Sequence, residues 1–409
     1  MKDTAYGLIK DDWKIETLKD VCVSGGIQTG PFGSQLHQKD YLPVGTPIIT
    51  VEHLGENRIL HQDLPRISNA DRDRLSRYIM RKGDIIFSRV GSVDRRALVR
   101  DKEDGWLFSG RCLRVRPNNS IIDPDFLSWF FGLEIFKDYI RRIAVGATMP
   151  SLNTELLSNV PVIVPPLPEQ RAIAGILGAL DDKIELNRRM NATLESMARV
   201  VFREMMKNEG GRMKGWEVKT IGEVVTVVGG STPSTTNPAF WEGGNIHWAT
   251  SKDLAPLQSP ILLDTNSRIT ELGLQQISSK LLPAGTVLLS SRAPIGYLAI
   301  SQIPVAINQG FIAIKCTEEI PNYYILNWAK ENMEAIESRA NGTTFLEISK
   351  SNFRPMPIVV PPPERMKAFV QQVEPMYQKI IANLKESRTL ASLRDGLLPR
   401  LMRGEVRAL

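Results

Sequence analysis

The chain has few residues whose types and spacing could perform chemistry on a substrate. Asn237-Pro238-Ala239-Phe240 is its nearest approach to the Asp/Asn-Pro-Pro-Tyr/Phe loop of an adenine methyltransferase, but the second proline is missing. The surrounding segment is rich in Ser, Thr and Pro, so a turn is the better interpretation. Pro124-Asp125 with Glu134 and Lys137 faintly resembles a nuclease carboxylate cluster, although the spacing from Glu to Lys is wrong. The matching segment later in the chain has Pro321-Asn322, so no carboxylate is required there.

Motifs for nucleotide hydrolysis and metal binding are missing as well. The sequence has no Gly-x-x-x-x-Gly-Lys-Ser/Thr loop, so it does not hydrolyse ATP by that route. Its histidines and cysteines show no metal-ligand spacing; they are His37, His53, His61, His247, Cys22, Cys112 and Cys316. Scattered single cysteines suggest a reducing compartment and no structural zinc. We therefore predict no catalytic, cofactor-binding or metal site in this chain.

The sequence repeats itself at a spacing of about 200 residues, which indicates an internal duplication. The segment at 159–166, Asn-Val-Pro-Val-Ile-Val-Pro-Pro, returns at 355–362 as Pro-Met-Pro-Ile-Val-Val-Pro-Pro. Further matches follow in the same order: Asp12-Trp13-Lys14-Ile15 with Gly215-Trp216-Glu217-Val218, Gly83-Asp84-Ile85-Ile86 with Gly285-Thr286-Val287-Leu288, and Ser109-Gly110 with Gln309-Gly310. Each copy is too long for a solenoid unit, so we predict two homologous domains, each ending in a helix.

Composition bounds the class of protein. With 409 residues and 42% hydrophobic content, the chain can form two or three ordinary cores. A net charge of +6 permits a polyanionic partner without requiring one. The start of the chain has no apolar segment of signal-peptide length, and no run approaches the roughly 18 residues of a membrane span. We expect a soluble cytoplasmic protein that has no role at a membrane.

Each copy of the repeat consists of two parts with different sequence patterns. Residues 13–160 and 216–356 combine short β-branched runs with Gly and Pro turns, and each contains one expected helix, around 124–142 and 321–339. The pattern predicts a globular α/β or α+β domain of about 150 residues in each copy. The predicted domains are residues 1–160 and 210–356, each followed by a Pro-rich linker and a long helix, 161–209 and 357–409.

A proline run precedes each long helix. Residues 165–168 and 361–363 keep the backbone extended, because proline fixes φ and lacks an N–H. Pro168 and Pro363 suit the first helical turn, and Glu169 and Glu364 complement its positive dipole end.

Each long helix carries an apolar stripe with alternating spacings of four and three residues. The stripes are Ile173, Leu177, Leu180, Ile184, Asn187, Asn191, Leu194, Ala198, Val201 and Met205, and then Phe369, Val373, Met376, Ile380, Asn383, Ser387, Leu390, Arg394, Leu397 and Leu401. Both stripes are interrupted by a polar pair at the same place, which favours a specific helix pairing in a fixed register. The alternative is that each helix only packs on its own domain.

A helix from 168 to 206 would be about 58 Å long, longer than such a domain is wide. We therefore predict that the two helices form an antiparallel coiled coil that holds the domains apart. The residues predicted to pair them are Leu177, Leu180, Ile184, Asn187, Leu194, Val373, Met376, Ile380, Asn383 and Leu390.

The order of these features resembles the specificity (S) subunit of Type I restriction-modification systems, the HsdS family. The matching stretches are Gly30-Pro31-Phe32-Gly33-Ser34-Gln35-Leu36, Gly45-Thr46-Pro47-Ile48-Ile49, Gly229-Gly230-Ser231-Thr232-Pro233, Trp241, Ile246-His247-Trp248, Ile307-Asn308-Gln309-Gly310 and the Pro-Pro-Leu-Pro-Glu-Gln-Arg run at 165–171. The resemblance covers essentially the whole chain, and the duplicated order of the motifs is what makes it specific.

The resemblance implies a division of labour. Each globular domain would be a target recognition domain that reads one half of a split site on double-stranded DNA, and the helices would set the unread gap. Since the two domains differ in sequence, the site would be asymmetric. The implied partners are two DNA adenine methyltransferase (M) subunits and, through them, restriction/translocase (R) subunits. S-adenosylmethionine, ATP and Mg would then be bound only by those partners.

Base readout favours Arg or Lys for guanine and Asn or Gln for adenine, while Ser, Thr and backbone amides position phosphates. The candidate DNA-contacting residues of the first domain are Gln28, Thr29, Ser34, Gln35, Lys39, Ser88, Arg89, Arg95 and Arg96. Those of the second are Ser231, Thr232, Ser234, Thr235, Thr236, Thr250, Ser251, Lys252 and Arg292. The alternative is that these loops are ordinary turns and that the arginines are solvated.

Two other functions remain open at this stage. A self-contained DNA-modifying enzyme would require the missing motifs, and methyl transfer by the pure chain would support it. A coiled-coil assembly scaffold without a DNA role would bind a protein partner but show no preference for any duplex sequence.

Overall fold

The computed structural model describes residues 1–31, 33, 35–146, 148–207, 215–292, 294–342 and 346–408. The chain forms two compact units, Met1–Ile184 with Thr389–Leu409, and Glu185–Arg388. Each long helix is therefore divided between the two units. The boundaries predicted from sequence treat the helices as separate segments, and they remain a prediction.

The first unit is built from short strands and helices. Its strands are β1 (Lys14–Thr17), β2 (Gln28–Thr29), β3 (Thr46–Ile49), β4 (Arg66–Ile67), β5 (Ile85–Ser88), β6 (Arg96–Leu98), β7 (Leu107–Phe108), β8 (Cys112–Val115) and β9 (Pro161–Val164). Its helices are α1 (Asn69–Arg74), α2 (Pro124–Phe130), α3 (Glu134–Ile143), α4 (Thr154–Ser158) and the first part of α5 (Leu167–Met206), with 3-10 turns at Gln38–Asp40, Val51–His53, Ser76–Tyr78 and Asp101–Glu103.

The described residues of this unit form three small sheets. The strand orders are β2-β8-β5-β6, β4-β3-β7 and β1-β9. Among these strands the pairings are antiparallel except that of β3 with β7, which is parallel.

The second unit repeats this plan. Its strands are β10 (Glu217–Thr220), β11 (Thr226–Gly229), β12 (Ile246–Ala249), β13 (Ile261–Leu262), β14 (Ser267–Ile269), β15 (Val287–Ser290), β16 (Leu298–Ser301), β17 (Ala306–Ile307), β18 (Phe311–Lys315) and β19 (Pro357–Val360). Its helices are the second part of α5, α6 (Ile221–Val224), α7 (Ser251–Leu254), α8 (Glu271–Gln275), α9 (Asn322–Glu331), α10 (Met333–Glu337), α11 (Lys350–Phe353) and the first part of α12 (Pro363–Met402), with a 3-10 turn at Pro238–Phe240.

The sheet orders of the second unit are β11-β18-β15-β16-β13, β14-β12-β17 and β10-β19. Strand for strand they match the first unit, with β13 added in parallel beside β16. The two sequence repeats therefore fold into domains with the same sheet topology.

The central strand of each unit is buried on both faces, which explains its continuous apolar run. In the first unit Ile85 and Phe87 pack towards α2, in a cluster with Phe126. Ile86 points to the opposite face and packs with Ile48. The sheet therefore lies between two cores, and its strand ends carry the loops.

The helix expected around 124–142 is two helices in the structure, α2 and α3. Asp123 caps α2 by accepting from the Phe126 amide at 3.0 Å. The break falls at Gly132, where a Cβ would lie 2.4 Å from Nη2 of Arg96. A larger residue would displace this guanidinium and crowd the carbonyl oxygen of Trp129, 3.0 Å from the same Cβ position. The expected helix around 321–339 is likewise divided into α9 and α10.

The proline-to-helix junction of the first unit is held by Gln170, which is fully buried. Its side-chain amide donates to the carbonyl of Pro165 at 2.7 Å, and its carbonyl accepts from the Asp123 amide at 2.7 Å. Glu169 accepts from Nε1 of Trp13 at 3.1 Å and pairs with Lys10. The Pro-Glu-Gln sequence is therefore a structural junction.

The helix stripes have two roles. In the first unit Ile173 and Leu177 enter the domain core, and Leu401 from the end of α12 joins them. In the second unit Phe369 and Val373 enter the core. The alternative that the helices pack on the domains is thus correct for these positions, and Leu401 shows that a domain also receives the end of the second helix.

The polar interruption of the stripes lies within the second unit. Nδ2 of Asn187 contacts Oγ of Ser387 at 3.2 Å and Oε2 of Glu386 at 2.8 Å. Nδ2 of Asn383 donates to Oδ1 of Asn191 at 2.8 Å. Because the higher number on one helix meets the lower number on the other, the helices run antiparallel here. A slide along either axis would leave buried amides unpaired.

The remaining residues predicted to pair the helices lie along the same stripes. Ile380 is buried, and the half-buried ones are Leu180, Ile184, Leu194, Met376 and Leu390. Within the described ranges, no helix has the length and apolar character needed to cross a membrane.

Candidate nucleic-acid interface

A glycine at the end of the second strand places a polar loop in each unit. The Gly30 amide donates to the carbonyl of Cys112 at 3.1 Å, and a Cβ at Gly30 would lie 2.1 Å from the carbonyl oxygen of Ser109. At Gly230 the corresponding distance, to the carbonyl oxygen of Ile307, is 2.0 Å. Both positions require glycine, so the loop lies directly against the turn that precedes β8 or β18.

Two more segments converge on that turn. The Arg89 amide donates to the carbonyl of Arg111 at 2.8 Å, and its Nη1 donates to the carbonyl of Gly110 at 3.1 Å. The Ser109 amide donates to the carbonyl of Ile49, at the end of β3. We call Gly30, Thr50, Arg89 and Ser109–Arg111 the first loop cluster.

The second unit has an equivalent arrangement. The Ser291 amide donates to the carbonyl of Gly310 at 2.8 Å, and the Asn308 amide to the carbonyl of Ala249 at 3.1 Å. Thr232 donates to the side chain of Gln309. We call Ser231–Thr232, Thr250, Ser291–Arg292 and Asn308–Gly310 the second loop cluster.

The candidate DNA-contacting residues between Gln28 and Lys39 lie at the surface of the first unit. Gln28 and Thr29 are half-buried in β2, and Gln35 and Lys39 are exposed. Oε1 of Gln35 accepts from the hydroxyl of Tyr78 at 2.9 Å. Ser34 lies outside the described residues.

Ser88 and Arg96 need correction as candidates, because they face the interior. Ser88 is fully buried and donates to the carbonyl of Val90 at 2.9 Å. Arg96 is 2% exposed, pairs with Glu56 at 2.9 Å and donates to the carbonyl of Ser128. Neither can reach a duplex in this packing.

Arg95 is half-buried, and its guanidinium donates to the carbonyl of Leu54. Of the four candidates Ser88, Arg89, Arg95 and Arg96, Arg89 lies in the first loop cluster.

The second-domain candidates are mostly at the surface. Thr232, Ser234, Thr235, Thr236, Lys252 and Arg292 are exposed, and Ser231, Thr250 and Ser251 are half-buried. Thr250 caps α7 through Asp253, with its hydroxyl 2.9 Å from the carboxylate. Arg292 pairs with Glu347 at 3.1 Å, so a DNA contact would compete with that ion pair.

Sequence reasoning missed Arg111 and Gln309 as site residues. Arg111 is exposed at the tip of the first turn, and Gln309 accepts from Thr232 in the second. The sequence did contain a signal for this turn. Ser109-Gly110 and Gln309-Gly310 are matching dipeptides of the two repeats, which indicates an equivalent turn in each domain.

Two carboxylates of the first domain, Asp125 and Glu134, belong to the faint nuclease-like pattern of the sequence. Glu134 pairs with Lys137 at 2.8 Å within α3. Burial, with a smaller effect of Asp123, raises the pKa of Asp125. Among the side chains that the structure describes, no group of His, Cys, Asp or Glu is arranged to hold a metal ion.

Replacing Gly30 with alanine should disrupt the first loop cluster. The new methyl group would collide with the carbonyl of Ser109, and overpacking of this kind costs about 1–3 kcal/mol. We expect the thermal midpoint of the variant to fall by about 5 °C and DNA binding to weaken. Calorimetry and a duplex-binding assay measure the two effects. Gly33→Ala is the matched control, because a Cβ at Gly33 meets nothing within 4 Å. Equal behaviour of the two variants would contradict the close approach.

Two α/β domains of one topology, each with a polar loop cluster at equivalent strand ends, define a duplicated two-domain protein. The chain belongs to the family described as the Type I restriction modification DNA specificity domain, whose sequence model matches residues 10–196 and 213–388. The resemblance seen in the sequence is thereby confirmed, and so is the expected role of a specificity subunit rather than an enzyme.

Named relatives match along most of their length. The Type I restriction enzyme MjaIX specificity subunit of Methanocaldococcus jannaschii is 25% identical, over 99% of this chain and 96% of the relative. The Type I restriction enzyme HindI specificity subunit of Haemophilus influenzae is 23% identical, over 86% of this chain and 92% of the relative.

A solved structure is similar in fold. The crystal structure of the S subunit of a Type I restriction-modification system from M. genitalium matches with a TM-score of 0.59 at 16% identity, covering 96% of this chain and 97% of that chain. The predicted fold class, two α/β domains with two long helices, is confirmed.

Proposed function

We propose that this chain is the DNA-reading subunit of a Type I restriction-modification complex and that each domain reads one half of an asymmetric, bipartite site. The observation that carries the proposal is the pair of loop clusters, which have the same place in the topology but different side chains. The first presents two arginines, Arg89 and Arg111. The second presents mainly hydroxyl and amide groups, including Thr232 and Gln309, and its single arginine, Arg292, pairs with Glu347. Different donor and acceptor patterns in a major groove select different bases.

The long helices are proposed to set the spacing between the half-sites. Helices α5 and α12 each span 40 residues, and each contributes to both compact units. A continuous helix rises about 1.5 Å per residue, so its length converts into a fixed separation along a duplex. The buried amides of Asn187 and Asn383 support a fixed register for the pair.

The same helices are proposed to recruit two adenine methyltransferase subunits and, through them, the restriction/translocase subunits. Exposed apolar side chains support a protein partner on α5 and α12. They are Ile176, Leu186, Met197, Val200 and Leu393, which are 37–54% exposed.

In this proposal the chain binds and orients the duplex, and its partners perform the chemistry. An adenine must leave the base stack before a methyl group can reach it. The domains would hold the DNA on either side of that adenine. S-adenosylmethionine, ATP and Mg belong to the partner subunits in this scheme, and the chain itself needs no cofactor.

The decisive experiment is sequencing of adenine methylation in a methylation-free host. The host expresses this chain, the neighbouring methyltransferase, or both. A split, asymmetric motif that is methylated only when both are present supports the proposal and gives both half-sites and the spacer. Methylation by the partner alone at the same sites would contradict it, as would an active partner complex that shows no sequence preference. Those results would favour an assembly scaffold.

A further inference from the structure

An ion pair lies at the edge of the second loop cluster. Nε of Arg292 is 3.1 Å from Oε2 of Glu347, and the backbones of the two residues meet in an antiparallel bridge. The Ile348 amide donates to the carbonyl of Ser291 at 2.9 Å, which holds the segment of Glu347 against the cluster. The side chains of Arg292 and Glu347 are 48% and 41% exposed, so the ion pair is open to solvent and to a ligand on this surface.

The first domain has the same backbone contacts but different side chains. There Val90 and Ser151 form the equivalent bridge, and the Leu152 amide donates to the carbonyl of Arg89 at 2.9 Å. Val90 and Ser151 carry no charge, so they cannot form an ion pair. The fold therefore does not depend on this ion pair, which is a property of the surface of the second domain.

The ion pair is weak enough to be exchanged for a better partner. Exposed ion pairs change an equilibrium constant by about fivefold or less. A bidentate contact from arginine to the edge of guanine discriminates against a wrong base by about fivefold to more than a hundredfold. A contact with a phosphate only exchanges one anionic oxygen for another, and it leaves the carboxylate of Glu347 beside a polyanion. Arg292 therefore gains from leaving Glu347 only where the duplex presents a matching base.

We propose that Glu347 is a positioning residue for Arg292, which holds the guanidinium away from unrelated DNA and releases it to a guanine of the second half-site. The inference rests on the proposed function, because it requires the second loop cluster to face the duplex. A repulsive carboxylate beside an attractive arginine lowers the affinity for wrong partners more than the affinity for the right one. In the first domain Ser151 stands in place of Glu347, so the effect is confined to the second half-site.

The test uses the full chain with its methyltransferase partner and the variants Glu347→Gln and Arg292→Gln. Dissociation constants are measured for the cognate duplex and for an unrelated duplex. Glu347→Gln should strengthen binding to the unrelated duplex by about threefold to fivefold and binding to the cognate duplex by less, so the preference for the cognate duplex falls. Arg292→Gln should weaken binding to the cognate duplex. In the double variant, the gain from Glu347→Gln on the unrelated duplex should be smaller than in the wild type.

Glu217→Gln is the matched control, because it makes the same change in net charge. Glu217 pairs with Lys219 at 2.6 Å and lies opposite Val360 in the β10–β19 ladder, outside the second loop cluster. This variant should leave the preference for the cognate duplex unchanged. Because the exchanged side chains are all partly exposed, the thermal midpoint of each variant should stay close to that of the wild type.

Three results would overturn the inference. Equal gains in affinity from Glu347→Gln and Glu217→Gln would mean that net charge alone sets the affinity. An equal gain from Glu347→Gln with and without Arg292 would mean that Glu347 repels the duplex directly. A lower thermal midpoint of Glu347→Gln together with an unchanged preference would mean a structural role. Failure of the wild-type complex to prefer its cognate duplex would instead overturn the proposed function.

Discussion

Exchange of residues 18–160 for the equivalent segment of another family member should replace one half of the methylated site and leave the other half unchanged. The ends of this segment are adjacent, since the Leu18 amide donates to the carbonyl of Val160 at 2.8 Å. An exchange at these points keeps the β1–β9 ladder and both long helices. Each mismatched base pair costs about 1–3 kcal/mol, so methylation at the original site should fall to background. Methylation sequencing measures both halves at once.

The reciprocal exchange is the internal control. Residues 221–356 are closed by the same bond, from the Ile221 amide to the carbonyl of Met356 at 2.9 Å. Their exchange should alter only the other half of the site. If either exchange altered both halves, the domains would not read independently. The incoming domain must also accept Ile173, Leu177 and Leu401, which enter the first core from the helices.

Replacement of Asp181 with asparagine should loosen the end of α12 from the first unit. Asp181 is 5% exposed and accepts from Arg58 at 2.6 Å and from Arg394 at 2.8 Å. Asparagine keeps an acceptor oxygen but no charge, while Arg58 and Arg394 keep the exposed carboxylates of Asp182 and Asp395. Loss of the buried charged partner should then cost about 1–3 kcal/mol. Since about 1.4 kcal/mol is tenfold in an equilibrium constant, amide exchange of residues 389–402 should accelerate by about tenfold. Hydrogen exchange with mass spectrometry measures this rate.

Asp182→Asn provides the comparison on the neighbouring residue. Asp182 also contacts Arg58, at 2.8 Å, but its side chain is 64% exposed, and exposed ion pairs contribute about 1 kcal/mol or less. In the Asp182→Asn variant, the amides of residues 389–402 should exchange almost as slowly as in the wild type. Similar rates in the two variants would show that Asp181 does not attach α12.

The polar residues of the first domain show where sequence reasoning failed. Arg96 has a side chain suited to guanine, but it lies within strand β6 and its guanidinium reaches Glu56, 40 positions away. Its place depends on Gly132, whose missing side chain leaves room for the guanidinium. Exposure of a polar side chain depends on distant neighbours, which local spacing does not encode.

The helices show a partial success. Spacing alone predicted their length, their start near the prolines and the polar interruption of each stripe. It did not separate the positions that enter a domain core, such as Phe369, from those that meet the other helix, such as Asn383. Both kinds of contact bury the same face of the helix. The same apolar periodicity is therefore found where the helix packs on a domain core and where it packs on the other helix.

The sequence by itself determined the duplicated architecture, the two long helices and the absence of recognised catalytic motifs, because repetition, periodicity and motif spacing are properties of the linear chain. The tertiary structure alone decided which polar residues are exposed. It brought Gly30, Arg89 and Gly110 into one cluster. These contacts join segments that are tens of residues apart, and close packing of the sheets and helices fixes them.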